Sequence, residues 1–167
     1  MEVGSYTGIS LINIIKLIPN SIGVGLDKWT NYIEDDNNNK VEMLDNMDEL
    51  EIESSFYKNV AIEGLENRIT GIKGDSYEVL FEMMKENKMF DFIYIDADHT
   101  AVSVLMDAEL SWPLLKSGGV MAFDEYTWGR DLPPSKTPRP GILLFTERHK
   151  AELDTLIIND QYWIRKK

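Results

Sequence analysis

Four short runs in this sequence each close on a carboxylate: Ile22–Leu26 on Asp27, Ile69–Gly74 on Asp75, Phe92–Ile95 on Asp96, and Val120–Phe123 on Asp124, with Glu125 directly behind. Side chains of this kind can accept hydrogen bonds from a hydroxylated ligand, bind a hard divalent ion, or move a proton. Any one of them is explained by the preference of Asp for strand ends and turns. Four in series point to one ligand-binding edge, because open α/β sheets bind ligands at the carboxyl ends of their strands. His99 follows Asp96 by three residues and is within reach of the same edge, where it could take a proton from a substrate hydroxyl. The plainer alternative is a surface histidine capping the following helix. A glycine-rich turn, Gly4-Ser5-Tyr6-Thr7-Gly8, opens the chain. It does not spell G-x-G-x-x-G and holds no P-loop lysine. A cofactor without a pyrophosphate is therefore favoured, and a nicotinamide-dependent oxidoreductase is disfavoured. A cationic, ribose-bearing molecule suits the acidic neighbours, with Asp27 placed to accept hydrogen bonds from a ribose diol.

The intervening segments must position these residues. Ile9–Ile18 is apolar almost all round and reads as a buried helix stopped by Pro19. Ile22–Leu26 is a short strand whose glycines imply close backbone approach. Glu34–Asn39 reads as a polar surface loop, and Val41–Leu65 as a helix in two pieces. In it Leu44 and Met47 share a face, Ile52, Phe56 and Val60 repeat every fourth residue, and Gly64 is the stop. Glu42, Asp45, Asp48, Glu49, Glu51 and Glu53 would form its solvated side. Ile69–Lys73 is a strand, Tyr77–Lys85 a helix, and Asp91–Ile95 a buried strand. Ala101–Leu115 is a helix with Leu105, Met106 and Leu110 inward. Lys116–Gly119 reads as a turn, Val120–Phe123 as a strand, Asp131–Pro140 as a proline-rich loop and Ile142–Lys150 as a helix. Leu156–Ile158 and Tyr162–Arg165 form a closing hairpin around Asn159-Asp160. Trp29 is expected to pack, Trp112 to lie in the core, His149 to be solvated, and Trp128 to border a substrate pocket. This alternation predicts an α/β fold: a Rossmann-like, doubly wound, mostly parallel sheet with an antiparallel C-terminal strand.

The length of 167 residues suits one domain, residues 1–167. There is no cysteine, which removes disulfides, thiolate nucleophiles and Cys-ligated metals. Lys and Arg number 17 against 29 Asp and Glu, a formal charge of −12. That balance argues against nucleic acid and an anionic membrane as partners. No apolar run is long enough to span a membrane, and no signal peptide is recognisable. A soluble, cytoplasmic protein is expected. The first strand is nearly all missing at Glu2-Val3, so the chain reads as shortened at its N-terminus. The resulting sheet edge leaves a homo-oligomer open.

Glu2-Val3-Gly4-Ser5-Tyr6-Thr7-Gly8-Ile9-Ser10 resembles the first motif of class I S-adenosylmethionine-dependent methyltransferases, and its spacing is most similar to the catechol O-methyltransferase branch. Phe90–His99, Leu114–Val120 and Phe123–Gly129 continue the resemblance, as does the closing Tyr162–Lys167 segment. Together they are similar to metal-dependent O-methyltransferases, including those acting on macrolide sugars. The resemblance implies that Gly4 lets the backbone approach the methionine part of S-adenosylmethionine (SAM), lined by Glu2, Tyr6 and Ser10. It implies that Asp27 holds the ribose and that Asp75 and Ser76 sit by the adenine. Asp96 would lie near the cofactor's amino group and join Asp124 and Glu125 in binding Mg²⁺. The catechol branch has Asn where this chain has Glu125, and the acidic pair and the D-x-x-H spacing of Asp96 and His99 point to the sugar-methylating relatives. The implied reaction is methyl transfer to a hydroxyl of a small molecule, with Asp96 and His99 in catalytic roles. The alternative is a non-catalytic relative that keeps the fold as a binding or interaction protein.

Overall fold

The computed structural model describes residues 1–30 and 49–167. The loop expected at Glu34–Asn39, the helical stretch from Val41 to Asp48 with Leu44 and Met47, and the acids Glu42, Asp45 and Asp48 lie outside them. The described elements are β1 (Glu2–Val3), α1 (Ile9–Leu17), β2 (Gly23–Asp27), α2 (Glu49–Ile62), β3 (Ile69–Lys73), α3 (Ser76–Lys85), β4 (Phe90–Ile95), α4 (Ala101–Ser111), β5 (Leu115–Phe123), α5 (Arg139–Arg148), β6 (Leu153–Ile158) and β7 (Tyr162–Lys166). The strands make a mostly parallel sheet with an antiparallel C-terminal end, the expected Rossmann-like architecture. The chain divides into two compact units, Ser5–Gly74 and Met1–Gly4 with Asp75–Lys167.

In the Ser5–Gly74 unit β2 and β3 pair in parallel, with Gly23 opposite Ile69 and Asp27 opposite Lys73. Leu11, Ile12 and Ile15 of α1 and Ile52, Phe56 and Val60 of α2 join Trp29, Leu65 and Ile69 in one apolar cluster. The fourth-residue repeat of α2 thus lands on the core. Helix α1 is less buried than its composition suggests, since Ile9 and Leu17 are exposed, as is Ile18 just past its end. A nine-residue helix with apolar residues on every side can turn only one stripe inward. The strand glycines are needed for space. A Cβ on Gly25 would come within 2.7 Å of Ser5 Oγ and 2.9 Å of the Phe56 ring. Gly64 ends the α2 segment at φ +65°, where a side chain would be strained.

In the other unit β1 and β4 pair in parallel, as do β4 and β5, while β7 runs antiparallel to both β5 and β6. Helix α4 departs in part from the expected face, with Leu105 and Leu110 half-buried. Val104, Asp107, Ala108 and Ser111 face inward and Met106 is exposed. Helix α4 packs closely on α5: a Cβ on Gly141 of α5 would lie 2.2 Å from the Ala101 carbonyl oxygen, so the helices meet backbone to backbone. The turn expected at Lys116–Gly119 is instead part of β5, where the pairing with β4 slips at a bulge between Phe90 and Phe92. Trp112 is buried as expected, in a short 3₁₀ turn. His149 is not solvated. It packs on Trp112 and Phe145, and its Nε2 is 2.9 Å from Glu109 Oε2.

Candidate functional site

Three acids and a histidine gather at the carboxyl ends of β4 and β5. Asp96 directly follows β4, and its amide donates to the Val3 carbonyl at 2.8 Å, tying it to β1. Asp124 directly follows β5, and its amide donates to the Ile95 carbonyl at 3.0 Å. Adjacent parallel strands that end in register therefore place the two carboxylates side by side. Glu125 takes a left-handed conformation, φ +53°, which turns the chain sharply there. His99 lies in the loop after β4, with Nε2 3.0 Å from Glu125 Oε2 and 3.7 Å from Asp96 Oδ1. It does not cap α4. That task falls to Thr100, whose Oγ1 accepts from the Ser103 amide. The Trp128 ring, partly exposed, packs 5.3 Å from the His99 ring.

Electrostatics at this corner follow from burial and crowding of like charges. Burial first, and then the neighbouring Asp124 charge, push the Asp96 carboxyl above its ordinary value despite the contact with His99. Glu125 is raised too, by burial and by Asp96 and Asp124, with His99 opposing. Burial works against the charged form of His99, but its contact with Asp96 and the charges of Glu125, Asp96 and Asp98 outweigh it and raise its pKa. Two residues at this corner carried no sequence signal. Tyr94, on β4, is driven upward by burial and by its hydrogen bond to Asp124. Gln161, in the turn after β6, donates from Nε2 to the Tyr94 hydroxyl at 2.8 Å and to Asp124 Oδ1 at 3.0 Å. Period-two alternation marks Tyr94 only as a strand residue, and nothing local marks the glutamine.

The same unit holds four more of the expected positions. Glu2 is fully buried on β1 opposite Tyr94. Gly4 has φ +87°, and a Cβ there would sit 2.1 Å from the Asp96 carbonyl oxygen, so the turn after β1 tolerates no side chain. Asp75 caps α3 by accepting from the Tyr77 amide at 2.9 Å, and half-buried Ser76 is the first residue of that helix.

Within the Ser5–Gly74 unit, Asp27 ends β2 and, among the described residues, is held by main-chain amides. Oδ2 accepts from the Tyr6 amide and Oδ1 from the Trp29 amide, each at 2.7 Å. Trp29 is buried against Phe56 and Tyr57, and its Nε1 donates to the Tyr6 carbonyl at 2.7 Å. It seals the core. Ser10 lies half-buried in the first turn of α1. Each Asp27 oxygen keeps lone-pair capacity for a further donor, which is what a vicinal diol requires.

The oxygen donors of Asp96, Asp124 and Glu125 have the chemistry of an Mg²⁺ site. Among the described residues, however, no three such side chains are gathered closely enough to hold an ion. His99 stands between Asp96 and Glu125, and an Asp124 oxygen accepts from Gln161.

A strand–helix alternation with acids at the strand ends and a glycine-tight first turn defines a class, and comparison with known proteins gives the family. A family model described as "Methyltransferase domain" matches residues 1–126. This chain belongs to that family. Among curated proteins it is 24% identical over 166 residues to tapetum-specific methyltransferase 1 of Arabidopsis thaliana, covering 96% of this chain and 60% of that protein. It is 30% identical over 143 residues to caffeoyl-CoA O-methyltransferase of Medicago sativa, covering 83% and 49%. The chain thus spans about half the length of the curated relatives it matches. Among solved structures, an O-methyltransferase from Bacillus cereus in complex with SAH has TM-score 0.68 at 19% identity, covering 99% of this chain and 72% of that one. The O-methyltransferase TomG from Streptomyces achromogenes, in complex with SAM, has TM-score 0.71 at 15% identity, covering 99% and 71%. At these identities the likeness is one of fold. No helix of the described residues is long and apolar enough to cross a membrane.

Proposed function

We propose that this chain takes part in SAM-dependent methyl transfer to a hydroxyl oxygen of a small molecule. The observation that carries the reading is His99 set among Asp96, Glu125 and Trp128 at the strand ends of a methyltransferase domain. Asp27 is assigned to the ribose hydroxyls, Glu2, Gly4, Tyr6, Ser10 and Asp96 to the methionine part, and Asp75 and Ser76 to the adenine. His99, once its Nε2 is released from Glu125 and Asp96, takes the acceptor's proton. SAM, when bound, would supply a methyl group on a cationic sulfur, which the acceptor's oxygen would take while the S–C electrons leave with sulfur. The carboxylates that raise the His99 pKa make it a stronger base. Alignment of the oxygen behind the methyl carbon supplies most of the acceleration.

Metal assistance is a second part of this reading. It rests on the hard oxygen donors of Asp96, Asp124 and Glu125, and it requires His99 to yield its place between them. The acceptor that suits the site is neutral or cationic and carries vicinal hydroxyls, since an anion would meet three carboxylates. A cytoplasmic location and a second copy as partner belong to the same proposal.

A thermal-shift titration tests the cofactor. SAM at about 100 times its Kd should add about 2.7 kcal/mol, about 5–10 °C in Tm, and Asp27→Ala should abolish the shift. Labelled SAM with catechol as a diol probe then tests turnover, with Mg²⁺ and with EDTA. Turnover unchanged by EDTA removes the metal from the reading. SAM binding without methyl transfer to any diol favours the non-catalytic alternative.

A further inference from the structure

We propose that Gln161 is a positioning residue: it fixes the Asp124 carboxylate and the Tyr94 hydroxyl, and the β6–β7 turn that carries it clamps the acidic loop following β5. All three polar functions of the side chain are used. Nε2 donates to the Tyr94 hydroxyl at 2.8 Å and to Asp124 Oδ1 at 3.0 Å, while Oε1 accepts from Trp163 Nε1 at 3.0 Å. The indole N–H can only donate, so the orientation of the amide is fixed and both of its protons point at the acidic corner. The turn is itself braced: the Gln161 amide donates to Asn159 Oδ1 at 2.8 Å and the Asn159 amide donates to the Gln161 carbonyl at 2.9 Å. The preceding residue grips the same loop. The Asp160 carbonyl accepts from the Tyr126 amide at 2.7 Å, and Asp160 Oδ1 accepts from Thr127 Oγ1 at 2.6 Å. A turn that merely joined two strands would need no side chain aimed at Asp124. Here main-chain and side-chain bonds converge on both flanks of Glu125, whose left-handed backbone needs outside support.

The kinetic consequence rests on the methyl-transfer reading; the clamp itself does not. In ¹⁵N-labelled protein, with the resonance assigned by its loss in Gln161→Leu, both side-chain amide protons of Gln161 should exchange slowly with solvent. Tyr94→Phe should release one of them. Exchange as fast as that of a free glutamine side chain would overturn the proposal. In the methyl-transfer assay with SAM and catechol, Gln161→Leu should lower kcat/KM by about tenfold or more. The Kd for SAM should stay within twofold and Tm within a few degrees. A kcat/KM within twofold of wild type would overturn the positioning role. If wild type turns over no diol, that result counts against the methyl-transfer reading, and the amide exchange alone decides the clamp.

Discussion

Asp27 and Asp124 are both strand-end aspartates, but the chain holds them in different ways. Asp27 is fixed by two main-chain amides, those of Tyr6 and Trp29, and both donors sit on residues with positive φ, +43° and +45°. That strained path is held by the buried Trp29 ring, so the carboxylate is set by backbone geometry and core packing. Asp124 is fixed by side chains, Gln161 and Tyr94, in a corner crowded with like charge. The first arrangement presents a constant acceptor pair, suited to a part of a ligand that never changes. The second can be retuned by exchanging one side chain, and it leaves charge that a bound partner can neutralise.

That contrast can be broken at three points. Trp29→Ala should have the largest effect, costing about 3–5 kcal/mol in urea denaturation, because it removes a large buried ring and the bond to the Tyr6 carbonyl. A loss below about 1 kcal/mol would mean that the Asp27 corner does not depend on the core beneath it. Gly4→Ala comes next. Left-handed backbone costs about 1–2 kcal/mol for a residue with a Cβ, and relieving the overlap with the Asp96 carbonyl costs about 1–3 more. The same melt should show it, and an unchanged Tm would refute the tight turn after β1. Asp96→Asn should be smallest and opposite in sign, stabilising the ligand-free chain at neutral pH by about 0.5–2 kcal/mol.

The pH dependence of this last effect has a definite sign. Because the folded pKa of Asp96 is raised above its unfolded value, the cost of the carboxylate is present at neutral pH and fades as pH falls through the raised pKa. The Tm difference between Asp96→Asn and wild type should therefore shrink on acidification. A difference that grows would show that Asp96 is held as a favourable anion.

Much of this arrangement is legible in the residues. Glycine between acidic strand ends, the four carboxylates and the fourth-residue repeat of Ile52, Phe56 and Val60 report local constraints: close approach, turn chemistry and helix period. Where the constraint is not local, the sequence is silent or misleading. Met106 and Val104 both suit an inward face, and tertiary packing buries Val104 and leaves Met106 exposed. His149 at a polar helix end looks solvated until Trp112 and Phe145 close over it.

By itself, then, the order of residues determined the alternation of strand and helix and the placing of acids at the ends of β2, β4 and β5, because both follow from short-range periodicity and turn chemistry. Tertiary structure decided which of those acids share a corner, that Tyr94 and Gln161 join Asp124, and that His99 stands between Asp96 and Glu125. Contacts between residues up to 67 positions apart depend on strand register and loop path, and no window along the chain contains them.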